Sequence, residues 1–430
     1  MPTYSEFQAA GGLPRTSIAA PHPFRAAAVM PGEIVLYTLI PTAVEGQPIR
    51  RGALERAKLS ARRMADRLAW KLARRFRLET WRYEERQGTN QGDIAVRDAV
   101  AGQIARALGP RLPQVRELAW NGLDTKELER VNRDASLLVV AGGGYLSIDA
   151  KGDLIPRCVA DLEALSGLRV PLALGAIGIN ATFRDKGHAD TLPVSADAER
   201  RLRRLGRQAV ALSVRDAFSQ QVLAGCSGRT VPLVGDAALF LKPRSPRSRP
   251  GSGPPRIGIN LAFHGRQADE NLARTFPLYL DALDRMHRET GCCFQYFRHS
   301  DAEPVLARMM KAEGLPVELV EGGPQALLDA YAGLDLHIGE MMHSCILSLA
   351  AGTPALGVAY DAKTRGLYGL MGLEDCLTDV FALDPAFLAG RALGMLADRQ
   401  DLSARIATRK AMLEQAHRAW WDGLLARAAA

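Results

Sequence analysis

The chain has 430 residues, 47% hydrophobic, 24% charged and 6% aromatic, which excludes a generally disordered polypeptide and points to two domains rather than one. The formal net charge is +8, and residues 50–86, with thirteen basic side chains against five acidic ones, carry an excess as large as that of the whole chain. No apolar run is long and unbroken enough to span a bilayer and no N-terminal stretch has a signal peptide's layout, so a cytoplasmic protein is expected.

Residues 1–30 are rich in Ala, Pro and Gly without periodicity and are expected to form a poorly ordered arm. EIVLYTLI at 33–40 predicts the first buried strand. In 50–86 the apolar residues Leu54, Ala57, Ala61, Met64, Leu68, Leu72 and Phe76 recur at spacings of three and four, which predicts an amphipathic helix with most arginines on its other face. Two readings stay open for it: a solvated helix packed on its own domain, or attachment to an anionic surface, either a membrane leaflet or a lipid-linked acidic acceptor. Nucleic acid is not an expected partner, because no zinc finger, RNP-type aromatic motif or helix-turn-helix accompanies the charge.

From Gly88 onward strands and helices alternate. GDIAVRDAVAGQIARALG predicts a helix, SLLVVAGGGYL a strand entering a glycine-rich turn, CVADLEALSG a helix, VPLALGAIGIN a strand and turn, and AVALSVRDAFSQQVLAG a short strand feeding a helix. VPLVGDAALFL closes this half, and KPRSPRSRPGSGPPR at 242–256, with five prolines and no apolar residue, suits a linker. The second half restarts with IGINLAF and continues through CCFQYF, VELVEG, LDLHIGE and PALGVA as strands with helices between them. The expected fold class is α/β: two doubly wound, Rossmann-like domains facing a cleft, with binding residues at the strands' carboxyl ends. The first spans 31–241 and carries the insertion 50–86; the second spans 257–430, its last helices free to cross back. The six cysteines form no C-x-x-C pair and no zinc spacing with histidine, so reduced, mostly buried thiols and no metal are expected.

Four clusters sit where such a fold places ligands. TNQGD opens a helix, where Asn90 or Asp93 can cap and free N–H groups can receive an anion, although capping alone accounts for the pattern. AGGGYL brings Gly142 and Gly143 to a strand end, either as a plain tight turn or as backbone open to a ligand. SVRD places Arg215 at another strand end, either paired to Asp216 or offered to a carboxylate or phosphate. His343 starts an apolar helix, as a satisfied core histidine or as a ligand-binding one.

In their shared order these clusters resemble the polysaccharide pyruvyl transferase family. That family shows N-x-G-D, a strand ending in three glycines, G-x-G, an Arg-Asp pair followed by Ser, D-x-A, Arg-x-His, G-x-P and Tyr-x-x-Lys; this chain has NQGD, AGGG, GAIG, VRDAFS, GDAALFL, MMH, GTP and YDAK. The resemblance, running from about Asn90 to Lys363, implies a fold like that of GT-B glycosyltransferases. It implies transfer of pyruvate from phosphoenolpyruvate, usually as a cyclic ketal, to a sugar of a cell-surface or exopolysaccharide precursor. Phosphoenolpyruvate is a co-substrate, and no cofactor is implied.

The chemistry asks for cations around the donor, an acid for its methylene carbon and a base for the sugar hydroxyl. Arg215, His343, Lys363, Gly142, Gly143 and Asn90 are the donor-binding candidates on the resemblance, and Asp93, His343 and Glu340 the catalytic ones, with Asp216 as a further carboxylate. The saccharide acceptor, free or lipid-linked, and its binding residues are not specified by the sequence. Two departures stand out: Met341 replaces the family's arginine two residues before the histidine, and about fifty residues, including the basic segment, separate the first strand from NQGD. Two other readings are a nucleotide-sugar glycosyltransferase, whose ribose-holding glutamate would fall at Leu347 or Ser348, and a catalytically silent protein that docks a glycan or membrane.

Overall fold

The computed structural model describes residues 32–44, 90–109, 114–181, 194–244, 253–262, 266–300 and 303–428. The arm at 1–30, the basic segment at 50–86 and the middle of the 242–256 stretch lie outside the described residues.

The first half runs β1 (Glu33–Thr38), α1 (Gln91–Leu108), β2 (Val115–Ala119), α2 (Thr125–Asp134), β3 (Ala135–Ala141), β4 (Leu146–Ile148), α3 (Pro156–Leu165), β5 (Leu172–Ile177), β6 (Ile179–Ala181), α4 (Ala196–Gln208), β7 (Ala209–Val214) and α5 (Ala217–Ser227). Its main sheet has the order β2-β1-β3-β5-β7, every pair parallel. Such a sheet is covered on both faces, and period-two alternation shows it. Ile34, Leu36, Leu137 and Val139 pack with α1 into one core. Their neighbours Val35, Tyr37, Leu138 and Val140 pack into another, under α2, α3 and α4.

The second half runs β8 (Arg256–Asn260), α6 (Arg266–Thr290), β9 (Cys293–Phe297), α7 (Pro304–Ala312), β10 (Val317–Val320), α8 (Pro324–Tyr331), β11 (Leu336–Gly339), α9 (Met342–Ala350), β12 (Ala355–Ala359), α10 (Ala362–Met371), β13 (Leu377–Asp379), α11 (Pro385–Ala397) and α12 (Arg399–Ala428). This sheet is also parallel, in the order β10-β9-β8-β11-β12-β13. Strand order reverses between β1 and β3 in one sheet and between β8 and β11 in the other. In open α/β sheets ligands collect at the carboxyl ends beside such reversals.

The expected α/β class with two doubly wound parallel sheets is thus the observed one. The long α12 reaches back across the first sheet. The Trp421 ring lies over β5 so closely that a Cβ on Gly175 would stand 2.7 Å from it. The Trp421 Nε1–H donates to His417 Nε2 at 2.9 Å, and His417 Nδ1 lies 3.2 Å from the Val234 carbonyl. At the other end of α1, the Gln91 N–H donates to the His299 carbonyl at 3.0 Å, joining the two halves beside the cleft. Among the described residues no helix is long and apolar enough to cross a membrane. All six cysteines are free thiols, five of them buried.

Candidate active site

A cavity of about 160 Å³ opens between the two sheets, lined from the first half by Leu39, Asn90, Asp93, Trp120, Gly144, Arg157, Asn180 and Arg215, and from the second by Met341, Met342, His343, Tyr360 and Lys363. Four helices present their first turns to it: α1 through Asp93, α3 through Arg157, α9 through Met342 and His343, and α10 through Lys363. The positive ends of four helix dipoles therefore converge on one small space, which favours an anion there.

The Asn90 side chain caps α1, accepting from the Gly92 N–H at 3.0 Å, and this turn carries Asp93 into the cavity wall. Burial pushes the Asp93 carboxyl up to about 6, with the cations Lys363, Arg215 and Arg157 pulling the other way. Gly92 is required by the neighbour across the cleft, because a Cβ there would stand 2.1 Å from His343 Nδ1.

His343 is buried, and its Nε2 has no hydrogen-bond partner among the described residues. The α9 helix that it opens carries no side-chain cap, since Met341 occupies the capping position. Burial holds the imidazole pKa well below the ordinary histidine value, and Arg215 and Lys363 add to the effect. The ring is accordingly neutral, and its orphaned nitrogen is a buried polar atom awaiting a partner.

Arg215 follows β7 as a buried guanidinium backed by three long contacts of 3.4 Å, to Asp216, Asp236 and the Asn180 carbonyl oxygen. It lies flat across Gly178, where a Cβ would stand 2.2 Å from its Nε. Burial raises the Asp216 and Asp236 carboxyls, and Arg215 works against that rise. Ala176, at a positive φ of 54°, sits in the irregular register of β5 that delivers Gly178. Lys363 pairs with Asp361 at 3.1 Å and stands 5.7 Å from the Tyr360 ring centroid. Burial alone would lower its pKa, but Asp361 and Tyr360 outweigh that and raise it, so the ammonium stays charged.

A family model described as polysaccharide pyruvyl transferase matches residues 56–362. The chain belongs to that family. A curated relative, the amylovoran biosynthesis protein AmsJ of Erwinia amylovora, is 32% identical over 76 residues, a stretch that covers 18% of each chain. Solved structures similar to this chain include a UDP-GlcNAc 2-epimerase from Neisseria meningitidis, at 10% identity, 76% coverage of this chain, 89% of the other and a TM-score of 0.48. Another is S. aureus MnaA, solved with UDP, at 15% identity, 73% and 87% coverage and a TM-score of 0.46.

Of the residues singled out in the sequence, Asn90, Asp93, Arg215, His343 and Lys363 come together in the cavity lining of this family member. Glu340 does not. It follows the end of β11 and turns to the opposite side, where it accepts from the Ala262 N–H at 2.8 Å and from the Tyr279 hydroxyl at 2.5 Å. Gly142 and Gly143, at positive φ of 57° and 67°, build the turn, and Gly143 receives the Gly178 N–H at 2.7 Å; the glycine that reaches the cavity is Gly144. Asp216 is committed to capping α5, accepting from the Ser219 N–H at 2.8 Å.

Met341 is in the lining, its Sδ 3.9 Å from the Tyr360 hydroxyl, and with Leu39, Met342 and Trp120 it gives the cavity an apolar wall. Sequence reasoning missed Trp120, Arg157, Asn180 and Tyr360. Tyr360 did have a signal, as the first residue of YDAK directly after the apolar run PALGVA; Trp120 follows β2, a strand that the sequence did not reveal. Among the described residues no group of His, Cys, Asp and Glu is arranged to hold a metal ion.

Proposed function

We propose that this protein transfers pyruvate from phosphoenolpyruvate to a pair of hydroxyls on a saccharide, forming a cyclic ketal and releasing inorganic phosphate. The acceptor is a polysaccharide or lipid-linked precursor of one, in line with the family and with the amylovoran biosynthesis in the relative's name. One observation carries the reading: the unpartnered His343 Nε2 at the uncapped start of α9 faces a cavity that also receives Arg215 and Lys363. Phosphoenolpyruvate is a compact polyanion, and its phosphate oxygens suit that nitrogen and the α9 N–H groups.

In this reading Arg215 and Lys363 hold the donor's charge while phosphate departs. A proton goes to the methylene carbon, the first sugar hydroxyl adds to the central carbon, and loss of phosphate lets the second hydroxyl close the ring. Asp93, with its carboxyl raised to about 6, exchanges protons near neutral pH and is the residue assigned to these transfers. Leu39, Met341 and Met342 offer apolar contact to the methylene side. The test is a thermal-shift titration with phosphoenolpyruvate on the protein and on His343→Ala: a saturating shift lost in the variant supports the reading, and a shift with UDP-GlcNAc alone replaces it with a nucleotide-sugar donor.

A further inference from the structure

We infer that Arg157 is the cation that closes the cavity over its anionic ligand, a role that rests on the donor reading above. The other two lining cations are already engaged. Arg215 faces Asp216 and Asp236, and Lys363 pairs with Asp361. Arg157 has no ion pair with any carboxylate of the described residues, although it lines the same cavity and its charge reaches Asp93.

Its placement is built from below. Arg157 follows Pro156 in the first turn of α3, and its guanidinium carbon stands 5.9 Å from the centroid of the Trp120 ring. A planar guanidinium over an indole face keeps its donors free at the edge, and this contact orients the group without neutralising it. Trp120 is itself fixed: its Nε1–H donates to the Tyr37 carbonyl at 3.0 Å, and its ring meets Tyr145 edge-on at 5.1 Å. Tyr145 in turn donates to the buried Asp161 at 2.6 Å. The chain thus presents an exposed, unneutralised fork on a rigid ring, in the lining of the same cavity as His343. Met341, facing the same space, offers no charge of its own, so a donor with both a phosphate and a carboxylate has Arg157 as its remaining bidentate partner.

The experiment is a thermal-shift titration of the full chain, with phosphoenolpyruvate and with inorganic phosphate as probes, on wild type, Arg157→Ala, Arg157→Lys and His343→Ala. Arg157→Ala is expected to weaken phosphoenolpyruvate binding by about tenfold or more with an unchanged melting temperature in the absence of ligand. Arg157→Lys recovers part of the loss, because charge returns without the fork. If Arg157→Ala binds both probes as wild type does while His343→Ala loses phosphoenolpyruvate, the inference falls and the donor reading stands. If wild type binds phosphate but not phosphoenolpyruvate, the donor reading falls, and a loss of phosphate binding in Arg157→Ala still upholds the anion-closing role. Wild-type protein that binds neither probe overturns both.

Discussion

Replacing Gly92 by alanine separates the position of His343 from the stability of the helix beside it. The new Cβ would lie 2.1, 2.2 and 2.3 Å from Nδ1, Cγ and Cβ of His343. Ordinary contacts begin near 3.4 Å, so the imidazole and its attachment must both move by about an ångström. Overpacking of this kind costs about 1–3 kcal/mol, offset by the roughly 0.5–1 kcal/mol that alanine gains over glycine in a helix. The net loss of stability is therefore modest. If His343 Nε2 bonds the donor's phosphate, its displacement removes a charge-assisted hydrogen bond of about 1.5–3 kcal/mol, or roughly 10- to 150-fold in affinity. Gly102, further along α1, has open space where its Cβ would be, so Gly102→Ala supplies the control. Isothermal calorimetry with phosphoenolpyruvate and chemical denaturation on both variants make the comparison. Gly102→Ala should gain stability and bind normally; Gly92→Ala should lose affinity far beyond its loss of stability. Wild-type affinity in Gly92→Ala would refute the role given to His343.

The raised carboxyl of Asp93 gives a pH signature. Its pKa moves from 3.8 to about 6 on folding, so the fold favours the protonated form; that contribution is complete below about pH 4 and lost as pH rises through 6. Asp93→Asn should therefore be more stable than wild type at pH 7.5, by a margin that vanishes toward pH 4 in pH-dependent denaturation, and it should lose transfer activity throughout. Met341→Arg should tighten phosphoenolpyruvate binding, and His343→Ala should loosen it in either background; a lower melting temperature with no tighter binding would instead mean a buried cation left without a partner. Deleting residues 50–86 should abolish binding to vesicles of anionic lipid in a flotation assay while the circular dichroism of the α/β core persists; unchanged flotation would remove the docking role.

The parallel sheets were legible because buried strands read as continuous apolar runs, as in SLLVVA and PALGVA, and because glycines and capping residues mark where those runs turn. Five of the cavity-lining residues could be picked out because each stands directly after such a run or at a helix start. Glu340 was misleading for a physical reason. Three residues from His343 in sequence, it lies before the helix begins, where extended backbone at Met341 sends neighbouring side chains to opposite sides. Arg157 was not legible: an exposed arginine after a proline carries no local mark, and only the convergence of α3 with the β2 end brings it to the cavity. Tyr360 stands at the head of YDAK, directly after an apolar run, but was passed over for Lys363. β2 itself was hidden because VRELA is half-buried along its length, as an edge strand is, and α2 and α4 were hidden by their high content of charge.

The most direct measurement of the central claim is a mass-spectrometric assay for pyruvyl transfer, with phosphoenolpyruvate and UDP-GlcNAc offered separately to the full chain together with a panel of bacterial exopolysaccharide oligosaccharides. The account predicts a gain of one ketal pyruvate on an oligosaccharide, matched by release of inorganic phosphate, with phosphoenolpyruvate only and not in His343→Ala. Sugar transfer from UDP-GlcNAc, with no phosphate released from phosphoenolpyruvate, would contradict it.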